Sequence, residues 1–195
     1  LGLDIGPVVT TETPLEIKLR ASSSGASWGE IGNLGQLLRA GERLKENGAT
    51  AIAIVTRFPD NLSIKEVDAY RKGRGVDLIG GAEAVISHSL VRHLSIPCAH
   101  SPALTPLAIE HCLDPRAAGE ELGYTFLTCV LVGLSRAPNL IQKPLLTEVS
   151  SIYQTGLFGI ENLGALIAPK SALGGEAVLA CIEKNIPLIV VSNSG

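Results

Sequence analysis

Six consecutive residues, Ala51-Ile52-Ala53-Ile54-Val55-Thr56, carry no charge and do not alternate. A run of that kind suits a strand covered on both faces, and strands of that type belong to parallel sheets. A parallel strand in turn demands a crossover, usually a helix, to reach its neighbour. The flanking sequence supplies one. Leu34, Leu37, Leu38 and Leu44 fall at helical spacing between charged residues, and Asn47-Gly48 provides the stop, since glycine takes the left-handed cap without steric cost. Ahead of it, Leu15-Glu16-Ile17-Lys18-Leu19-Arg20 alternates with the period of a half-buried strand. The opening of the chain therefore predicts strand, loop, helix, strand, the βαβ order.

The end of the chain repeats that order: strand 163–168, loop 169–175, helix 176–185, strand 188–191. Between the two ends, helices are predicted over 63–71, over 81–94 with Val85, Ile86, Leu90, Val91 and Leu94 as its apolar stripe, and after Asp114-Pro115. Pro97, Pro102 and Pro106 predict irregular backbone between Ile96 and Cys112, and residues 136–162 a loose connection. The run YTFLTCVLVGL, Tyr124 to Leu134, reads as a central strand from its β-branched and aromatic residues. The fold class expected is α/β: an open, mostly parallel sheet with helices on both faces, Rossmann-like, with a helix-rich, Pro-rich middle. It is expected as one domain over 1–195, incomplete, with 60–123 as a helical insertion or lobe.

Composition narrows the function classes. Of 195 residues 46% are hydrophobic and only 18% charged, against about 25% in ordinary globular domains, which excludes disorder. A net charge of −3 argues against a general nucleic-acid binder, and the basic knot Arg71-Lys72-Gly73-Arg74 reads as a solvated turn. The uncharged run Leu122 to Ser135 falls short of the roughly 20 residues a membrane span needs. Four cysteines stand without CxxC pairing, the pattern of reduced thiols. There is no methionine, which fits an internal piece or a processed chain.

Chemistry is expected where strand ends lead into helix starts. Three small-residue loops occupy such positions: Ser22–Gly29 with Ser23, Ser24, Gly25 and Ser27; residues 170–175 with Ser171, Gly174 and Gly175; and Ser192–Gly195. Glycine amides and serine hydroxyls beside a helix N-terminus suit a phosphate or carboxylate, although neither GxxxxGK[ST] nor GxGxxG is present. Arg71 and Arg74, in a glycine-bearing loop, could clamp the same anion; an exposed turn held by surface ion pairs is the plainer alternative. All four histidines and two cysteines lie between His88 and Cys112. Cys98 and His100 would share one face of a strand, giving Cys98 as candidate nucleophile and His100 or His88 as candidate base. His88 and His93 do not share a helix face, so no metal ligand is assigned. Buried thiols and hydrogen-bonded imidazoles are the plain alternative.

The strings SSSGASWG, AIAIVTRFPD, YRKGRGVDLIGGAEAVISH, IPCAHSPAL, DPRAAGEELGYTFLTCVLVGLSRAP and PKSALGGEAVLA, in this order, resemble a domain-of-unknown-function family of cyanobacteria and plant or algal plastids. The resemblance covers nearly the whole chain and makes it the C-terminal portion of that family. It implies a plastid stroma or cyanobacterial cytoplasm and no particular reaction or cofactor. The family has Cys-Gly-Gly where this chain has Leu173-Gly174-Gly175, and the connection from Asn139 to Glu161 also departs from it.

Two readings follow. In the first, a soluble α/β protein binds a small anionic metabolite, phosphate- or carboxylate-bearing, and is equipped to act on it. In the second, it is a non-catalytic subunit or assembly factor of a larger plastid or cyanobacterial complex, meeting a protein partner or a second copy of itself. A zinc enzyme is a third, weaker reading.

Overall fold

The computed structural model describes residues 2–21, 27–59, 64–75, 77–103, 108–121, 126–141, 156, 158–170 and 173–192. They form a mixed α/β protein with two compact units, 1–141 and 142–195.

In the first unit, strand β1 (Ile17–Ala21) runs antiparallel to β2 (Ser27–Ile31), with Leu19 opposite Gly29. The sequence Ser-Trp-Gly-Glu-Ile alternates inward and outward, so the predicted small-residue loop is in its second half a strand. The βαβ order expected at the start is therefore a hairpin followed by a helix, because β1 spends its ladder on β2. Helix α1 (Leu34–Glu46) follows, with Leu37, Ala40 and Gly41 buried. Arg43 and Lys45 lie in its last turn, where cations oppose the helix dipole, and Gly48 beyond it takes φ +89°. Lys45 also donates to the Leu94 carbonyl at 2.7 Å, tying α1 to the far end of the next long helix.

Strand β3 (Ile52–Arg57) is the apolar run, and it pairs in parallel with β4 (Cys98–Ala103). The crossover holds α2 (Ile64–Arg71) and α3 (Gly80–Leu94). Residues 98–103 are thus a strand and not irregular backbone. The Pro102 ring costs a ladder donor, which a strand edge tolerates. Helix α4 (Pro115–Glu121) starts where Asp114-Pro115 predicts it, with Asp114 Oδ1 accepting from the Arg116 amide at 2.9 Å.

Residues Phe126–Leu134 form a helix, α5, packed on β3 and β4. The central strand expected there is absent. An apolar run of this length has no periodicity to separate a strand from a covered helix, and nine residues exceed the usual strand.

The core joins Leu37 of α1, Ile52, Ile54 and Phe58 of the β3 segment, and Ile79, Ala82, Ile86, Leu90 and Leu94 of the α3 segment. Two glycines let β2 press directly on the start of α3. A Cβ on Gly29 would collide with the Cβ of Ala82, and one on Gly81 with the Ser27 carbonyl and, at 2.6 Å, the Trp28 Cα.

The second unit is a βαβ crossover: β5 (Leu166–Pro169) and β6 (Leu188–Val191) are parallel, joined through α6 (Glu176–Glu183). Among its described residues Ala168, Val178 and Cys181 are buried, whereas the register partners Ile167 and Ile189 are exposed. The described strands thus make three two-stranded sheets, two of them parallel.

Candidate functional site

Parallel register fixes the faces of β3 and β4. Cys98 stands beside Ile52 and His100 beside Ile54, on the face that Ile52 and Ile54 turn toward the core helices. Helix α3 covers β4 with the residues of its own inner face, and that face is not wholly apolar. Glu83 and Ser87, one helical turn apart, sit among Ala82, Ile86 and Leu90. They meet His100.

The contacts are few and specific. His100 Nδ1 lies 2.9 Å from Ser87 Oγ, and His100 Nε2 lies 3.7 Å from Glu83 Oε2. Ser87 Oγ is also 3.2 Å from the Glu83 carbonyl oxygen and 3.4 Å from that of Ala84. The Glu83 side chain is 9% exposed and that of His100 33%, so the imidazole is the member of the pair that solvent reaches. Among the described residues, Glu83 Oε1 is a buried oxygen without a hydrogen-bond partner, and so is Thr56 Oγ1, two residues beyond Ile54 toward the carboxyl end of β3. Buried polar atoms left unpaired cost free energy in a fold, and functional sites are where such costs are kept.

Asp77 closes the group from the loop before α3. Its carboxylate accepts from the Ile79 amide at 3.1 Å, and its carbonyl accepts from Ser27 Oγ at 2.7 Å. Burial raises the Asp77 pKa, which the Ile79 bond and the nearby His100 partly offset. Glu83 is displaced further: burial, and then repulsion from Asp77, push it up to about 7. His100 moves the other way. Burial and the neighbouring His88 lower it below its ordinary value, with Asp77 opposing. A carboxyl that releases its proton near neutrality beside a neutral imidazole is the arrangement general acid–base chemistry requires.

The residues singled out in the sequence fall unevenly around this centre. His100 is in it, His88 is an exposed electrostatic neighbour, and Ser27 reaches it through Asp77. Cys98 shares the face but bonds its thiol to the Ile96 carbonyl at 3.4 Å, and burial pushes its pKa up to about 11. Such a thiol is protonated at neutral pH and is a poor nucleophile at rest. Arg71 donates to the Ala108 carbonyl at 2.7 Å and its own carbonyl accepts from Asp114, so it is engaged with the segment leading into α4. Arg74 is exposed, held by its amide on the Ala69 carbonyl at 2.8 Å. Gly174 and Gly175 belong to the second unit, where Gly175 precedes α6. Ser23, Ser24, Gly25 and Ser171 lie outside the described residues. Glu83 and Ser87 are not among the residues that the sequence singles out, since an acid in the first turn of a helix is favoured by the dipole alone. Their signal is two polar residues, four apart, on the otherwise apolar inner face of the helix.

Among the described residues no three His, Cys, Asp or Glu side chains converge as a metal site. A cleft of about 1390 Å³ is lined by the N-terminal segment, α1, β3 and α5, with leucine, isoleucine and valine prominent; Thr56 borders it, and neither Glu83 nor His100 reaches it.

Comparison with known proteins bears on what this centre belongs to. The family described as a protein of unknown function (DUF3326) matches residues 1–195. The chain belongs to that family. The chain is also similar to an uncharacterized lipoprotein of a Synechococcus species, 43% identical over 194 residues. The match takes in 100% of this chain and 52% of the relative, so the chain spans about half the length of the curated relative it matches. No solved structure matches. No helix among the described residues is long and apolar enough to cross a membrane.

Proposed function

We propose that this DUF3326 chain binds a small anionic metabolite, phosphate- or carboxylate-bearing, and transfers a proton on it, with Glu83 and His100 as the acid–base pair. The observation that carries the reading is Glu83 itself: a carboxyl 9% exposed, with one oxygen unpartnered, its pKa near 7, facing a half-buried imidazole. Evolution of a merely structural core rarely keeps such a group, because an apolar residue of similar size is cheaper there. Thr56 supplies a further unspent hydroxyl on the same side. The anion would be held by amides and hydroxyls of the small-residue segment at Ser27, with Ser23, Ser24, Gly25, Arg71 and Arg74 as the remaining candidates from sequence there; Ser171, Gly174 and Gly175, of the second unit, are candidates for a separate anion site. Cys98 and His88 stand beside the pair, Cys98 as an inert thiol in its resting form and His88 as a neighbour that helps lower the His100 pKa. We read the parallel pairing within each unit as the kind that the Rossmann-like fold predicted from the sequence uses, and the setting as cyanobacterial or plastid. The relative's name would add attachment to a membrane surface through a lipid.

Proton transfer is testable before the substrate is known. Carboxylate- and phosphate-bearing metabolites that raise the melting temperature are incubated with the protein in D2O, and exchange of their carbon-bound protons is followed by NMR. Glu83→Gln and His100→Gln should each slow the exchange by about 10²–10⁴-fold, the usual contribution of a positioned acid or base. Ligands that bind but exchange as fast with either variant as with wild type would defeat the reading.

The subunit reading rests on a different observation. Ile167 and Ile189, partners in the β5–β6 register, are 67% and 51% exposed, although parallel pairs are normally covered on both faces. Ile167→Lys should convert an assembly to monomer in light scattering if that face meets a partner copy; a wild-type chain already monomeric at high concentration would contradict it.

A further inference from the structure

The acid–base reading leaves open which nitrogen of His100 is the base, and the geometry around Ser87 answers that. A serine hydroxyl has one proton and accepts through its lone pairs, whereas carbonyl oxygens only accept. Ser87 Oγ has two carbonyl oxygens within reach, those of Glu83 and Ala84, on its own helix, and His100 Nδ1 on β4. Serine buried in a helix characteristically bonds back to the carbonyl of the preceding turn. Spent there, its proton is unavailable to the imidazole, and the short 2.9 Å contact is then satisfied by Nδ1–H donating to Oγ. At 3.7 Å the Nε2···Oε2 separation is too long for a direct hydrogen bond, so Glu83 does not fix the ring's proton on Nε2.

We propose that Ser87 is the positioning residue of the site, holding His100 as the Nδ1–H tautomer so that Nε2 presents its lone pair beside the Glu83 carboxyl. This rests on the acid–base reading and gives it a direction. Nε2 is the atom that takes a proton from the ligand. Glu83, whose Oε1 has no protein partner, is the group that returns one. The charged and titratable groups that bear on the imidazole are Glu83 and His88 from α3 and Asp77 from the loop before it, with the Cys98 thiol on the same strand. None of them offers Nδ1 a competing acceptor as close as Ser87 Oγ. Ser87 touches no ligand itself, being 5% exposed; it acts through His100.

The test reads the ring nitrogens directly. In the full ¹⁵N-labelled chain at a pH where His100 is neutral, long-range ¹H–¹⁵N spectra, assigned with His100→Gln, should show Nδ1 protonated and Nε2 bare. Ser87→Ala should move the tautomer ratio about tenfold toward Nε2–H, the factor that one ordinary hydrogen bond supplies. Ser87→Thr, which keeps the hydroxyl, should restore it. A wild-type ring protonated on Nε2, or a ratio unmoved in Ser87→Ala, would overturn the proposal. If Ser87→Ala does not fold, the wild-type spectrum alone decides. Failure of the acid–base reading looks different: ligand protons that never exchange while Nδ1 stays protonated would refute that reading and leave the role of Ser87 standing.

Discussion

Valine at Gly81 should cost about 3 kcal/mol or more of stability, the upper range for overpacking, because what it strikes cannot move aside. The missing Cβ would meet main chain: the Ser27 carbonyl and the Trp28 Cα of β2. Relief requires lifting β2 off α3, which would also break the Ser27–Asp77 bond and pull the loop that places Asp77. The same substitution at Gly119, where a Cβ would meet nothing within 4 Å, is the control and should change stability by less than about 1 kcal/mol, the propensity difference within a helix. Chemical denaturation of both variants measures this. Equal midpoints for Gly81→Val and wild type would mean that β2 does not rest on the helix start.

Glu83→Gln should stabilise the protein, and only at neutral to alkaline pH. A carboxyl raised from its ordinary 4.5 to about 7 binds its proton more tightly in the folded state than in the unfolded one. Its favourable contribution is therefore complete below about 4.5 and is lost as pH rises through about 7. At 1.36 kcal/mol per unit, wild type should lose about 3 kcal/mol relative to the variant between pH 4 and pH 8. His100, whose pKa burial lowers, has the opposite sense: its contribution is present above 6.5 and is lost as pH falls through the lower folded value. Glutamine at 83 thus exchanges function for stability, the trade that catalytic groups in unfavourable surroundings commonly show. Denaturation midpoints of the two proteins that run parallel from pH 4 to 8 would contradict this.

How much of this was legible in the sequence depends on which physical signal each element carries. Helix α1 and strand β6 declare themselves by amphipathic spacing and by an apolar run between proline and the chain's polar end, and both fall where periodicity places them. Helix α5 does not, because FLTCVLVGL is apolar at every spacing and only its packing on β3 and β4 distinguishes helix from strand. Strand β4 was hidden by Pro102, whose tolerance depends on where the ladder runs, a tertiary fact. The site divides in the same way. His100 and Cys98 were found because a period of two puts them on one face. Glu83 was overlooked because its local explanation, an acid in the first turn of a helix, is sufficient without any partner. That His100 stands opposite it is fixed by the β3–β4 register and by how α3 lies on β4, and neither is written in local sequence.

The central claim is that Glu83 is a proton-exchanging acid at neutral pH, and its own titration tests that most directly. In protein labelled with ¹³C at the glutamate side-chain carboxyl, the Glu83 resonance, assigned by its loss in Glu83→Gln, should titrate with a midpoint near 7. A midpoint near 4.5, the value of an ordinary solvated glutamate, would show a carboxylate fully ionised at neutral pH and would contradict the account.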